Sequence, residues 1–207
     1  MPMISKSLRT RVGLLVVLAL FTLAFVWSAA ADAKQHPREI VDEVSSKVVA
    51  LLDEYGDELK DDPVRTYEKF APIIEPHVDF ERIGARMLGP HWRNADAETR
   101  ERFINEFKRS LVRTYASSME EYKDLDFRIL GSRQRDAGIQ VGVEVEGGSR
   151  VLFRFIDSSD AWKLEDVTFE GVSVVQNYRE DFRSRLRDKD LPEVVEDMRA
   201  RNQEIGF

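Results

Sequence analysis

Along the chain from Pro37, apolar residues recur first at three- and four-residue steps, then at two-residue steps, then at three and four again. Val41, Val44, Val48, Leu52, Tyr55 and Leu59 form the first stripe, with Glu and Lys between them, and predict an amphipathic helix. In "DDPVRTYEKFAPIIEPHV" Pro63 suits a first helical turn, while Pro72 and Pro76 limit what comes after. Asp79 is placed to cap a short helix that runs through Leu88 and stops at Gly89-Pro90. Asp96 is a candidate N-cap for the longest helix, where Phe103, Phe107, Leu111, Tyr115 and Met119 recur every fourth residue.

Near Tyr122 the period falls to two. Phe127 and Ile129, then Ile139, Val141, Val143 and Val145, then Val151, Phe153 and Phe155 alternate with outward residues, and "AWKLEDVTF" makes a fourth strand. A two-residue Gly147-Gly148 loop would pair Val145 with Arg150 and turn the valines away from Phe153 and Phe155. Counting Ser149 into the loop pairs Val145 with Val151, Val143 with Phe153 and Val141 with Phe155, sets Glu146 against Arg150, and makes one face wholly apolar. A one-residue slip flips every side chain, so the three-residue loop is the expectation, with glycine supplying a positive φ. From Val172 the chain turns helical, with a last helix from about Leu191 to Asn202. The predicted class is α+β: a four-stranded antiparallel meander with helices before and after it, packed on the sheet.

Charge changes the picture upstream of Pro37. Lys6, Arg9 and Arg11 precede a 16-residue apolar or neutral run, Val12 to Trp27, and small residues follow at Ala29-Ala30-Ala31 or Ala31-Asp32-Ala33. That order reads as a signal peptide over residues 1–31 ahead of a single domain, 32–207; the run is shorter than the about 20 residues of a membrane span. The whole chain carries a net charge of −7, and losing three cations and no anions takes it to −10. Phosphate neutralisation needs a basic surface, so nucleic acid is a poor partner, and so is an anionic bilayer. An exported chain with no cysteine is stabilised by burial without disulfides, which suits a bacterial envelope protein.

Little in the chain points to catalysis. His36, His77 and His91 are far apart and match no metal-ligand spacing. There is no GxSxG around Ser173, no Walker A loop and no GxGxxG. Glu165-Asp166 could in principle do acid–base work, but neighbours on a strand point to opposite faces. No catalytic residue, metal ligand or cofactor site is expected. "EGVSVVQNYREDF", Glu170 to Phe182, packs polar groups densely, yet reads as a strand-to-helix corner. Gly171 would allow the turn, Val172, Val175 and Phe182 would anchor the helix, and Asn177, Tyr178 and Arg179 would hold the corner or meet a partner. The apolar sheet face and the aromatic helix stripe either fill a core or enclose a cavity; periodicity is the same for both.

Three stretches resemble the MlaC family of periplasmic phospholipid-binding proteins, also known as toluene-tolerance proteins. "DFERIGARMLGPHW" looks like the family's DF…I…LG..W segment, and "FINEFKRSLVRTY" its F…F…L…Y helix. "WKLEDVTFEGVSVVQNYREDF" is similar to its W-K-x-x-D-V…E-G-V-S…N-Y-R…F signature. The chain departs from the pattern at Ala161, Glu165 and Asp181. The resemblance implies an NTF2-like cone with an apolar cavity, and a non-enzymatic, monomeric periplasmic carrier of phospholipid. Its partners would be an inner-membrane ABC transporter with an MCE-domain subunit and an outer-membrane lipoprotein–porin complex. Face assignments then nominate Ile129, Val141, Val143, Val145, Val151, Phe153 and Phe155 from the sheet as lipid-binding, with Met87, Phe107, Leu111 and Tyr115 from the helices. Two alternatives stay open: an acid–base enzyme using a buried Asp166 or Tyr115, and an envelope adaptor whose core is full.

Overall fold

The computed structural model describes residues 34–59, 61–115, 127–145 and 147–207. The expected leader and its expected cleavage sites, Met119 and the change of period near Tyr122 all lie outside the described residues. Helix α1 spans Pro37–Leu59 and α2 spans Pro63–Ile74, with Pro63 in the first turn and Pro72 inside the helix. Asp62 caps α2 by accepting from the Arg65 amide at 2.9 Å. A single 3₁₀ turn, Glu75–His77, follows and carries Pro76.

Helix α3, Phe80–Leu88, is capped by Asp79 as expected and stops at Gly89; α4, Pro90–Asn94, starts with Pro90. Helix α5, Ala97–Tyr115, begins with the Asp96 carboxylate 2.6 Å from the Thr99 amide. Helices α6, Val174–Arg185, and α7, Leu191–Gln203, close the chain, the latter under a capping box of Asp190 and Glu193.

Between α5 and α6 lies an antiparallel sheet in the order β1 (Phe127–Arg135), β2 (Gly138–Val145), β3 (Ser149–Asp157), β4 (Trp162–Phe169) and β5 (Val172–Ser173). The class is α+β, with five strands instead of four. The fifth is two residues long because Ser173 already caps the helix that follows, and it is joined to β4 by a tight two-residue hairpin in which Glu170 and Gly171 take positive φ, 47° and 84°.

The β2–β3 register is a second correction. Val145 pairs with Ser149, Val143 with Val151, Val141 with Phe153 and Ile139 with Phe155, and Arg150 faces Glu144. The connection has three residues, but it spans 146–148, since Gly147 and Gly148 both sit at positive φ and the Gly148 amide closes onto the Val145 carbonyl at 3.0 Å. The pairing is two residues away from the expected one. A two-residue shift preserves faces, so the valines and phenylalanines still share the inner side.

Apolar packing divides into three clusters. Ile83, Met87, Trp92, Phe103, Phe107, Val175, Phe182, Val194, Val195 and Met198 make an all-helical core from α3 to α7. Ile40 and Val41 of α1 meet Ile139, Val141, Val143 and Phe155 of the sheet in a second. Leu52 and Leu59 of α1 pack on Phe70 of α2 in a third. Among the described residues no helix is long and apolar enough to cross a membrane.

Candidate functional site

The dense polar stretch after β4 is a joint. Ser173 caps α6, accepting from the Gln176 amide at 3.0 Å and donating to Asp166 at 2.6 Å; the second Asp166 oxygen accepts from the Val175 amide. Val175 and Phe182 are buried as expected, whereas Val172 is 61% exposed and anchors nothing, because β5 ends beyond the cover of the helices. Tyr178 packs against Phe107 and Phe182, and burial pushes its hydroxyl up to about 12.

Glu165 and Asp166 do not point to opposite faces as simple alternation requires. Arg154 pairs with Asp166 and Phe155 with Leu164, so Glu165 is the extra residue of a β-bulge. The bulge turns both carboxylates towards α3: Glu165 meets Arg82 at 3.0 Å and Arg86 at 3.5 Å, and Asp166 lies 4.0 Å from Arg86. Arg154 Nε also lies 2.7 Å from Glu165, close enough to pair as an ion but without hydrogen-bond alignment. Both acids are spent on structure, tying the helical core to the sheet.

The open space of interest is elsewhere. A cleft of about 340 Å³ runs between α1, the 3₁₀ turn and the inner sheet face. Its walls are Ile40, Val41, Val44 and Val48 from α1, Ile74 and Val78 around the turn, and Phe127, Phe153, Phe155, Leu164 and Val167 from the sheet. Ser45 and His77 are its polar members, and no carboxylate lines it. The turn is pinned to β4 at this point: Val78 bridges Leu164, and the Asp79 amide donates to the Leu164 carbonyl at 3.0 Å. Burial lowers the His77 pKa from its usual value. On the other flank of α1 a second hollow, about 400 Å³, is lined by Asp42, Ser45, Ser46 and Asp53 above Phe127, Ile129 and Val143. A larger hollow of about 790 Å³ lies on the outer sheet face, but Arg133, Arg150, Gln140 and Glu170 line it, so it cannot dry an apolar chain.

Of the nominated residues, Phe153 and Phe155 line the cleft. Ile129 and Val143 border the hollow beside it. Val141 is wholly buried in the α1–sheet core, Val145 is buried at the end of β2, and Val151 is half-buried on the same face. The helical nominees are displaced: Met87 and Phe107 belong to the all-helical core, Leu111 packs on it, and Tyr115 is 43% exposed. The helix that covers the inner sheet face is α1, and the cleft residues missed were its Ile40, Val41, Val44, Ser45 and Val48, together with Ile74, His77, Val78, Phe127, Leu164 and Val167. The signal was present in the α1 stripe, but α5 carries a stripe of the same period, and periodicity does not say which one meets the sheet.

Known proteins share this architecture. The chain is 26% identical over 183 residues to the toluene tolerance protein ttg2D of Pseudomonas putida, covering 86% of this chain and 82% of that one. It is 22% identical over 170 residues to the intermembrane phospholipid transport system binding protein MlaC of Haemophilus influenzae, covering 78% and 79%. A phospholipid-binding protein from Ralstonia solanacearum, solved in complex with a phospholipid, has the same fold at a TM-score of 0.73, with 21% identity over 81% of this chain and 97% of that one. The MlaC protein family profile matches residues 42–200, which takes in most of α1, the cleft apart from Ile40 and Val41, the sheet and most of α7, and the chain belongs to the MlaC family.

Proposed function

We propose that this protein is a phospholipid carrier of the bacterial periplasm, exported by a leader over residues 1–31. It would shuttle lipid between an outer-membrane lipoprotein–porin complex and an inner-membrane ABC transporter with an MCE-domain subunit, as a monomer and without catalysis. The observation that carries this reading is the cleft itself: an unfilled, almost wholly apolar space between one helix and a sheet. The acid–base groups an enzyme on this frame was expected to use are not in that space: Asp166 is engaged by Ser173, the Val175 amide and Arg86, and Tyr115 is 43% exposed and away from the cleft. That leaves His77 at its edge, with no carboxylate on the lining to work with.

Size adds a condition. A methylene needs about as much room as a water, about 30 Å³, so 340 Å³ holds about eleven methylenes, less than one long acyl chain. Two chains of about 15 methylenes carry roughly 24 kcal/mol of transfer free energy at about 0.8 per CH₂. Tails left in water would forfeit that energy, so they have to be covered completely, and loading widens the cleft by exchanging α1–sheet contacts for lipid contacts.

Native mass spectrometry of the mature protein, purified from a periplasm without detergent, tests the proposal. A stoichiometric adduct of phospholipid mass is the expected result. A protein that stays empty after incubation with liposomes and the transporter would leave a surface adaptor as the better account. Val44→Trp and Phe153→Arg, both on the cleft wall, are expected to lower lipid occupancy several-fold while the protein remains folded.

A further inference from the structure

The two flanks of α1 carry opposite charge. On one side the hollow above Phe127 is lined by Asp42 and Asp53 and by no cation. On the other, the apolar cleft ends at the 3₁₀ turn, where three nitrogen groups gather. His77 lines the cleft edge and is half-buried. Lys163, next to the cleft residue Leu164, lays its ammonium on the turn and donates to the Pro76 carbonyl at 2.5 Å. Lys47 stands on α1 between the cleft residues Val44 and Val48; of the charges acting on His77, Glu43 is the strongest, followed by Lys163 and Lys47.

Anions at this place are few and occupied. Glu43 receives Lys47 at 2.5 Å and Gln35 at 2.7 Å. Glu75, the carboxylate of the turn itself, is held by Tyr67 at 2.8 Å and Lys108 at 2.5 Å. Asp79 is committed to the cap of α3. A cleft that is apolar along its length and cationic at one end fits an amphiphile with its charge at one end.

We infer that the turn end of the cleft is a phosphate site, where Lys163, Lys47 and His77 hold the phosphodiester of the carried lipid while the tails run along α1. The inference rests on the carrier reading above and goes beyond it by assigning the head group a place and a direction. Lys163 and Lys47 each donate to a phosphate oxygen from an ammonium with three protons, so neither has to leave the turn carbonyl or Glu43 altogether. Neutral His77 offers one ring N–H. The acidic flank repels the same group, so the lipid enters with its phosphate towards the 3₁₀ turn and not towards Asp42.

The experiment compares uptake of phosphatidylglycerol and of diacylglycerol with the same chains, from vesicles of otherwise neutral lipid. Wild type, Lys47→Gln, Lys163→Met and Lys163→Arg are compared as the full mature chain. Losing one charge-assisted hydrogen bond is worth about tenfold. The ratio of phosphatidylglycerol to diacylglycerol uptake is therefore expected to fall about tenfold in each neutral variant and to recover in Lys163→Arg. Lys47 is exposed on α1, so its variant keeps the test valid even where Lys163→Met loosens the turn. A ratio unchanged in Lys47→Gln and in folded Lys163→Met overturns the site. Inorganic phosphate is the second probe: if it binds the wild type, is lost in both neutral variants and leaves lipid uptake unaffected, the cluster is a free-phosphate site and the inference fails. A wild type that takes up neither lipid fails the carrier reading itself, whereas one that takes up both equally fails the phosphate site alone.

Discussion

Gly84 sits at the middle of α3 with its α-carbon against the Trp92 ring; a Cβ there would lie 2.7 Å from Cζ3 and 2.9 Å from Cη2. Trp92 is itself buried and edge-on to Phe103, so the ring has no free space to retreat into. Gly84→Ala is therefore expected to lower stability by about 1–3 kcal/mol through overpacking, read as a shift of the urea midpoint with unchanged slope. Glu165 poses the opposite case, a charge that must stay. Its carboxylate is buried, but its partners Arg82, Arg86 and Arg154 are between a third and a half exposed, so water screens part of each interaction. Glu165→Gln is expected to cost about 2 kcal/mol, between the about 0–1 of a surface pair and the about 3–5 of a broken buried one. The loss should shrink when salt is raised; a salt-independent loss would show that packing of the bulge, and not charge, is what Glu165 provides.

At the scale of elements, helix starts were the most legible feature. Asp79 and Asp96 cap as expected from the sequence, and Asp62, Ser173 and Asp190 do the same at helix starts that Pro63, Val172 and Leu191 had marked. Each accepts from the amide three residues on, and capping is local chemistry that a sequence states directly. Strand faces were legible for the same reason, since alternation survives a two-residue error in the β2–β3 pairing. Partnership was not. The stripes of α1 and α5 have equal claims on the apolar sheet face, and what decides between them is the 3₁₀ turn, which clips to β4 through Val78 and Asp79 and brings α1 over the sheet. Nor did alternation foresee the bulge at Glu165, because one extra residue in β4 is visible only once Arg154 has found its partner. His77 gives this junction a pH response. Its pKa is lowered in the folded protein by burial, so between that value and the ordinary His value of about 6.5 the unfolded chain binds the extra proton. The stability that neutral His77 lends is present above about pH 6.5 and is lost as the pH falls through the lowered value. A His77→Gln variant should show a flatter stability curve across this window than the wild type; identical curves would place the titration elsewhere.

At the scale of the molecule, the separation of cores lets stability and cargo be assigned to different parts. The all-helical cluster around Phe103, Phe182, Val194 and Met198 is dense with aromatic contacts and meets the cleft wall at Val78, beside the 3₁₀ turn and not on α1. The α1–sheet cluster is thinner: Ile40 and Val41 seal one end, and half-buried Val44, Phe153 and Leu164 leave the space between. A carrier needs this asymmetry, because the part that opens has to surrender contacts without unfolding the part that holds the fold. Met198→Ala, in the helical core, should cost about 2–5 kcal/mol, against a total of about 5–15 for a domain of this kind. Its folded molecules should still carry as much lipid as the wild type. Val44→Trp should do the reverse, filling the cleft and lowering lipid content while the denaturation midpoint barely moves. Both quantities can be read on one preparation by urea unfolding and by lipid extraction of the folded fraction. If Met198→Ala emptied the protein as fully as Val44→Trp, the two cores would be energetically one, and α1 could not open by itself.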